Sequence, residues 1–270
     1  MILHADEMGE GDPVCLLHGL FGSGASLRTV ARRLAATRRV LLLDLRGHGR
    51  SPHAPAMAYA DMAADVRETL AARGALPAAL LGHSMGGKVA MRLALGAPDA
   101  ASRLLVADIA PVAYPPRFRD LAAAMLALPL RPGLTRAEAS ALLAPAVPDA
   151  GLRGFLLQNL AVGERPAWRI GLAEIAAALP GIEGWDAPAG ARYAGPTLFV
   201  SGARSDYVRP ESRPAIRALF PAARFVSLRD AGHWLHADQP EAFAATAAAF
   251  LAPGGLAPGL APGLAPEQPA

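Results

Sequence analysis

The stretch Gly82-His83-Ser84-Met85-Gly86-Gly87 carries the reading of this chain. It contains G-x-S-x-G. A short apolar run, Ala78–Leu81, precedes it, and a helical pattern, Met85–Leu95, follows it. A serine on a tight strand-to-helix turn sits in a strained backbone conformation, and flanking glycines avoid collisions with neighbouring backbone. Its Oγ then projects above the sheet edge, while the start of the helix offers free N–H groups and positive dipole to a developing oxyanion. Ser84 is therefore the candidate nucleophile. Gly82 through Lys88 also reads as the start of a P-loop, but Val89 stands where that motif needs Ser or Thr on Mg²⁺, so nucleotide binding is set aside. Lys88, the only lysine in the chain, reads as a solvated first-turn residue.

Outward from this turn, short apolar runs alternate with amphipathic ones. Val14–His18, Arg39–Leu43, Ala78–Leu81 and Arg103–Asp108 are strand candidates. Gly24–Thr37, Tyr59–Arg73 and Met85–Leu95 carry helical spacing. The strands do not alternate polar and apolar, which means a parallel sheet covered on both faces. The rhythm breaks from about Tyr114 to Trp185. No convincing strand is visible there, only helical stretches Arg117–Leu128, Thr135–Leu143, Gly151–Val162 and Trp168–Leu179 punctuated by prolines. Alternation resumes with Thr197–Ser201, a helix near Pro214–Leu219, Arg224–Leu228 and a last helix Pro240–Leu251. The expected layout is a core of residues 1–113 and 186–251, a helical cap of residues 114–185, and a disordered Leu-Ala-Pro-Gly tail over residues 252–270.

Composition excludes several classes. Of the 270 residues, 53% are apolar and 18% charged, which argues against disorder and against a coiled coil. The single cysteine, Cys15, permits neither an internal disulfide nor a cysteine zinc site. Lys+Arg 26 against Asp+Glu 23 leaves +3, too little for a nucleic-acid footprint. No apolar run reaches membrane-spanning length and no targeting segment is visible, so a cytoplasmic protein without membrane insertion is expected.

Two further segments complete a catalytic pattern. His18-Gly19-Leu20-Phe21-Gly22 follows the first strand candidate. An oxyanion hole takes one N–H from the residue after the nucleophile, Met85, and one from such a loop, Leu20. Phe21 is expected to line the acyl pocket. Gly22-Ser23-Gly24 is no dinucleotide fingerprint, because Leu27 stands where a third glycine belongs. Ala231-Gly232-His233-Trp234 follows the last strand candidate and supplies His233 as general base. His236 reads as a loop residue near the site, and His83 as a packing or hydrogen-bonding residue. No histidine spacing supports a metal. Two carboxylates compete to orient His233: Asp108, ending one strand candidate, and Asp206, in the loop after Thr197–Ser201.

With these motifs assembled, the chain resembles the α/β-hydrolase superfamily over about residues 1–251. Gly82–Lys88, Asp108-Ile109-Ala110-Pro111-Val112 and Ala231-Gly232-His233-Trp234-Leu235-His236 look most like the ABHD11/YbfF-type esterases. The loop Asp44-Leu45-Arg46-Gly47-His48-Gly49-Arg50-Ser51 is also similar to the superfamily's. The resemblance implies an α/β fold with a mostly parallel eight-stranded sheet flanked by helices, and a helical cap inserted after the sixth strand. It implies a Ser-His-Asp esterase or thioesterase, without cofactor, acting on a small-molecule ester. In some members of that group the acid follows the earlier strand, which favours Asp108. Asp206 matches the commoner superfamily position and is the alternative. One departure is the short N-terminus, which leaves only Met1–Ala5 for the opening strand.

The same serine also serves C–C bond hydrolysis, lyase steps and perhydrolysis, and some proteins of this fold only bind a small ligand. Dehalogenase chemistry needs Asp where Ser84 stands. Expected substrate-binding residues are Phe21, Phe118, Met125, Phe155, Trp168 and Trp234, with most apolar cap residues serving as cap core. Apolar walls favour small to medium, largely apolar acyl or aryl esters.

Overall fold

The structure is a computed structural model and describes residues 1–252 and Gly255. Apart from Ala252 and Gly255, the expected disordered tail lies outside the described residues. Seven strands form the main sheet: β1 (Ala5–Met8), β2 (Pro13–Leu17), β3 (Arg39–Leu43), β4 (Ala78–His83), β5 (Ala101–Ala107), β8 (Thr197–Gly202) and β9 (Ala223–Leu228). Their order is β1-β3-β2-β4-β5-β8-β9, with every pairing parallel except β1 against β3.

The apolar runs form strands because both faces of the sheet are buried. Cys15, Leu17, Leu41, Leu43, Leu80, Leu104, Val106 and Phe199 belong to one core. Their alternates Val14, Leu16, Val40, Leu42, Leu81, Leu105, Leu198 and Val200 belong to another on the opposite face. Period-two alternation thus divides side chains between two apolar layers instead of between core and water. Helices α2 (Tyr59–Ala72) and α3 (Met85–Gly96) cover the first face, and α8 (Arg213–Leu219) contributes Ile216 there. Helices α1 (Arg28–Leu34) and α10 (Pro240–Leu251) cover the second with Val30, Leu34, Phe243 and Phe250.

A helical region is inserted between β5 and β8. It contains α4 (Arg119–Leu126), α5 (Arg136–Leu143), α6 (Ala150–Leu157) and α7 (Leu172–Glu183). A two-residue hairpin, β6 (Leu160–Ala161) with β7 (Ala167–Trp168), interrupts them. A short helix α9 (Leu235–Asp238) precedes α10. Among the described residues no helix is long and apolar enough to cross a membrane.

Five differences from the sequence reading have physical causes. Among the described residues the main sheet has seven strands, not eight, and the insertion follows the fifth: residues 1–4 form no strand ahead of β1. The single helix expected over 24–37 divides into a 3₁₀ turn, Gly24–Leu27, and α1, because the Gly24 N–H is drawn to Asp44 Oδ1 at 2.7 Å. The hairpin takes Trp168, so α7 begins at Leu172. It runs past Pro180 because Lys88 Nζ donates to the carbonyls of Glu183 and Gly184 and holds its last turn. Lys88 is accordingly buried, not solvated, beside the rings of Tyr59 and Tyr114. His236 lies in the short helix α9 instead of a loop.

Buried histidines tie the loops at the C-terminal edge of the sheet. His18 Nε2 accepts from the Leu45 N–H (3.0 Å) and its Nδ1–H donates to the Gly19 carbonyl (2.8 Å). His48 Nε2 accepts from the Phe21 N–H (3.2 Å) and its Nδ1–H donates to the Arg46 carbonyl (3.0 Å). Each ring is therefore neutral. Burial pushes His48 down to about 3 and His236 to about 4, and lowers His18 and His83 as well. Below the ordinary value of 6.5 the unfolded chain binds protons that the folded chain refuses, so stability falls as pH drops through that region. Urea unfolding should give a lower midpoint at about pH 5.5 than at about pH 7.5, with the His48→Gln variant losing less between the two. Equal midpoints for the wild type would contradict this assignment.

Candidate active site

The turn between β4 and α3 holds Ser84 at φ 52°, ψ −120°. A non-glycine residue in such a region costs of order 1–3 kcal/mol, and persists only where its surroundings dictate it. Here they do. The Ser84 N–H donates to the Ala107 carbonyl of β5 (3.0 Å), and its carbonyl accepts from the N–H groups of Gly87 (2.8 Å) and Lys88 (3.1 Å). Glycine is required on either side. A Cβ on Gly82 would lie 2.2 Å from the Gly86 oxygen, and one on Gly86 would lie 2.4 Å from the Leu17 oxygen.

His233 reaches Ser84 from the loop after β9. Its Nε2 lies 3.1 Å from Ser84 Oγ, and its Nδ1 lies 2.8 Å from Asp108 Oδ2. Asp108 follows β5, is wholly buried and also has positive φ, 51°. Its Oδ1 accepts from the Gly202 N–H (3.1 Å), and its Oδ2 also accepts from Ser205 Oγ. These donors fix the carboxylate in orientation. It therefore holds the proton of His233 on Nδ1 and leaves the Nε2 lone pair facing Ser84. Two further residues brace the imidazole. Tyr207 stacks on it, with ring centroids 3.9 Å apart and 20° between planes. His83, at the end of β4, donates from Nε2 to the His233 carbonyl (2.8 Å).

Asp206 lies elsewhere. It is half exposed and is gripped by Arg117 (2.8 and 3.2 Å) and Arg209 (3.2 Å). The Arg117 hydrogen bonds hold its carboxyl down at about 2. It ties the inserted region to the loop after β8 and makes no hydrogen bond to His233.

Leu20, expected as an oxyanion donor, borders the same cavity as Ser84, and Met85, the other, opens α3 directly after it; among the described residues neither N–H has a hydrogen-bond acceptor. The Leu20 loop is held by its neighbours: Phe21 has φ 59°, its N–H is bound by His48, and its carbonyl accepts from Asn159 Nδ2 of the inserted region (2.7 Å). A cavity of about 290 Å³ opens over Ser84 and His233, lined by Phe21, Phe118, Leu121, Leu152, Phe155 and Trp234. Met125 and Trp168, both expected on its wall, are absent from it. Met125 is fully buried in the core, and Trp168 sits in the hairpin, packed against the insertion's own apolar cluster.

Tyr207, Ser205 and Asn159 were not anticipated as site residues. The first two lie in the segment read for Asp206, where Ser-Asp-Tyr offers several polar groups of equal local merit. Asn159 has no local signal at all, since its partner is 138 residues away in sequence.

The alpha/beta hydrolase fold family matches residues 12–240. The mouse sn-1-specific diacylglycerol lipase ABHD11 is 41% identical over 248 residues, covering 88% of this chain and 80% of its own length. Esterase YbfF of Escherichia coli (strain K12) is 38% identical over 240 residues, covering 88% and 92%. A solved marine microorganism esterase superposes with a TM-score of 0.90 at 35% identity, covering 93% of this chain and 99% of that one. Its sheet, its serine turn and these relatives agree: the chain belongs to the α/β-hydrolase family and is an esterase of the ABHD11/YbfF type.

Proposed function

We propose that Ser84, His233 and Asp108 act as nucleophile, general base and orienting acid in hydrolysis of carboxylic esters through an acyl-enzyme. The observation that carries this reading is the continuous chain Ser84 Oγ to His233 Nε2 at 3.1 Å and His233 Nδ1 to Asp108 Oδ2 at 2.8 Å. His233 Nε2 takes the Ser84 proton as Oγ attacks the ester carbonyl. The N–H groups of Leu20 and Met85 receive the developing oxyanion, and Asp108 stabilises the imidazolium. The carbon–oxygen bond then breaks, and the departing alkoxide takes the proton from Nε2. A water deprotonated by the same nitrogen attacks the acyl carbon, and collapse of that second tetrahedral species returns the electron pair to Ser84 Oγ, which takes the proton back from His233 Nε2 as the free acid leaves.

We assign residues 114–185 as a cap that supplies Phe118, Leu121, Leu152 and Phe155 to the cavity. Its largely aromatic and aliphatic wall favours small to medium, mostly apolar esters over charged ones. The relatives' names point to acylglycerols and simple esters as substrate types within this class.

Replacing Ser84 by Ala should lower kcat on p-nitrophenyl acetate by ~10⁴-fold or more with the fold intact by circular dichroism. Retained turnover would remove Ser84 from the reaction. Asp108→Asn should cost ~10⁴-fold in kcat, because the amide favours the wrong imidazole tautomer. Asp206→Asn should stay within about 10-fold of wild type, since an exposed ion pair contributes little. The opposite order of losses would transfer the acid role to Asp206.

A further inference from the structure

Ser84 borders two cavities. The larger, about 290 Å³, contains His233, Trp234 and His236 in its wall. The smaller, about 30 Å³, lies toward α3 and the end of β5, bounded by Met85, Ile109, Tyr114, Tyr59 and Ile182. His233 borders the larger only, while Leu20, Phe118 and Tyr207 line both. The two spaces therefore meet at the nucleophile and diverge to either side of it.

The chemistry decides which part of an ester each one takes. The departing oxygen must collect its proton from His233 Nε2, so the alcohol lies on the His233 side, in the larger cavity. The acyl chain must then point away from His233, toward Met85 and Ile109. We infer that the small chamber is the acyl subsite and that the enzyme selects esters of two- and three-carbon acids, the larger cavity accepting the alcohol. This inference rests on the Ser84 esterase reading. It also moves Phe21 from the acyl side, where it was expected, to the alcohol side, because of these two cavities Phe21 borders only the larger.

Size sets the limit. One water-sized group needs roughly 10–15 Å³ of such space, so the chamber takes a methyl or an ethyl group and little more. Most of its exposed wall is carbon, which fits an alkyl group; Lys88, Arg117 and Glu183 also border it, with Lys88 Nζ and Glu183 Oε1 held on backbone partners.

The back wall is also fastened. Tyr59 Oη donates to the Ile182 carbonyl (2.6 Å), and Lys88 Nζ to the carbonyls of Glu183 and Gly184. Glu183 Oε1 accepts from the N–H groups of Arg117 (2.6 Å) and Phe118 (3.0 Å). Tyr114 Oη accepts from the Ala110 N–H (2.8 Å) and donates to the Tyr207 carbonyl (2.7 Å). Both ends of the inserted region are thus tied to α2, α3 and the loops after β5 and β8 around the chamber. A longer acyl chain gains room only by breaking buried hydrogen bonds.

Two ester series separate the cavities. In p-nitrophenyl esters of increasing acid length, kcat/KM should peak at acetate or propionate and fall by about 10-fold or more by hexanoate, the scale on which apolar pockets discriminate added methylenes. In acetate esters of straight-chain alcohols, from ethanol to octanol, kcat/KM should hold or rise. Ile182→Ala and Ile109→Ala each remove chamber wall, and either should raise the hexanoate-to-acetate ratio by about 10-fold. Having two such variants keeps the test open if one fails to fold.

A profile that rises with acid length while long-chain acetates go unhydrolysed would assign the chamber to the alcohol and overturn the inference. Equal tolerance in both series would overturn it too. Absence of turnover in both series from folded protein would overturn the Ser84 chemistry itself, and the inference with it.

Discussion

The backbone of Ser84 is the constraint on which the rest of the structure depends. A serine at φ 52° is stable only where strand and helix leave the chain no other path. That path needs β4 to end under β5's carbonyl at Ala107, and α3 to begin immediately, against the carbonyl of Leu17 at the end of β2. Any side chain at Gly82 or Gly86 would push these backbones apart. The strain is sustained by burial of both sheet faces, since Val14, Leu81 and Leu105 on one side and Leu17, Leu80 and Val106 on the other are all removed from water. Each such side chain contributes on the order of 1.5–3 kcal/mol, enough collectively to outweigh the strain of the turn.

The parallel sheet converts that local strain into a site. All of its parallel strands end at one edge, so β4, β5 and β9 deliver Ser84, Asp108 and His233 to neighbouring positions although 149 residues separate the serine from the histidine. Asp108 repeats the positive-φ solution at the end of the adjacent strand, which turns its carboxylate toward His233 and the Gly202 N–H. The inserted region is coupled to this edge at several points, through Asn159 on the Phe21 carbonyl, Arg117 on Asp206, and Glu183 with Lys88 behind the serine. The insertion therefore shapes the space around the reaction while contributing no group to the serine, histidine and aspartate chain.

Legibility in the sequence followed locality. Gly82-His83-Ser84-Met85-Gly86, His18-Gly19-Leu20 and Gly232-His233 were readable because each is a turn whose chemistry lies within five residues of its own chain. The acid stayed ambiguous for a structural reason. Strands β5 and β8 are paired neighbours, Ala107 opposite Val200, so the loops carrying Asp108 and Asp206 leave the same edge side by side. What separates them is distant: Ser205 Oγ and the Gly202 N–H converge on Asp108, while Arg117 draws Asp206 outward. The burial of Lys88 was illegible for the same reason, because the carbonyls that receive it lie 95 and 96 residues away. Helical spacing identified the insertion but not which of its faces meets the cavity, so Phe118 and Phe155 line it and Met125 does not.

If the strained turn and His233 make the Ser84 hydroxyl the nucleophile, an alkyl fluorophosphonate should label it selectively. Peptide mass mapping should then find a single phosphonyl adduct per chain, on the peptide containing Ser84, whose formation slows sharply in the His233→Ala variant. A label on another residue, or a folded protein that takes none, would contradict that role for Ser84.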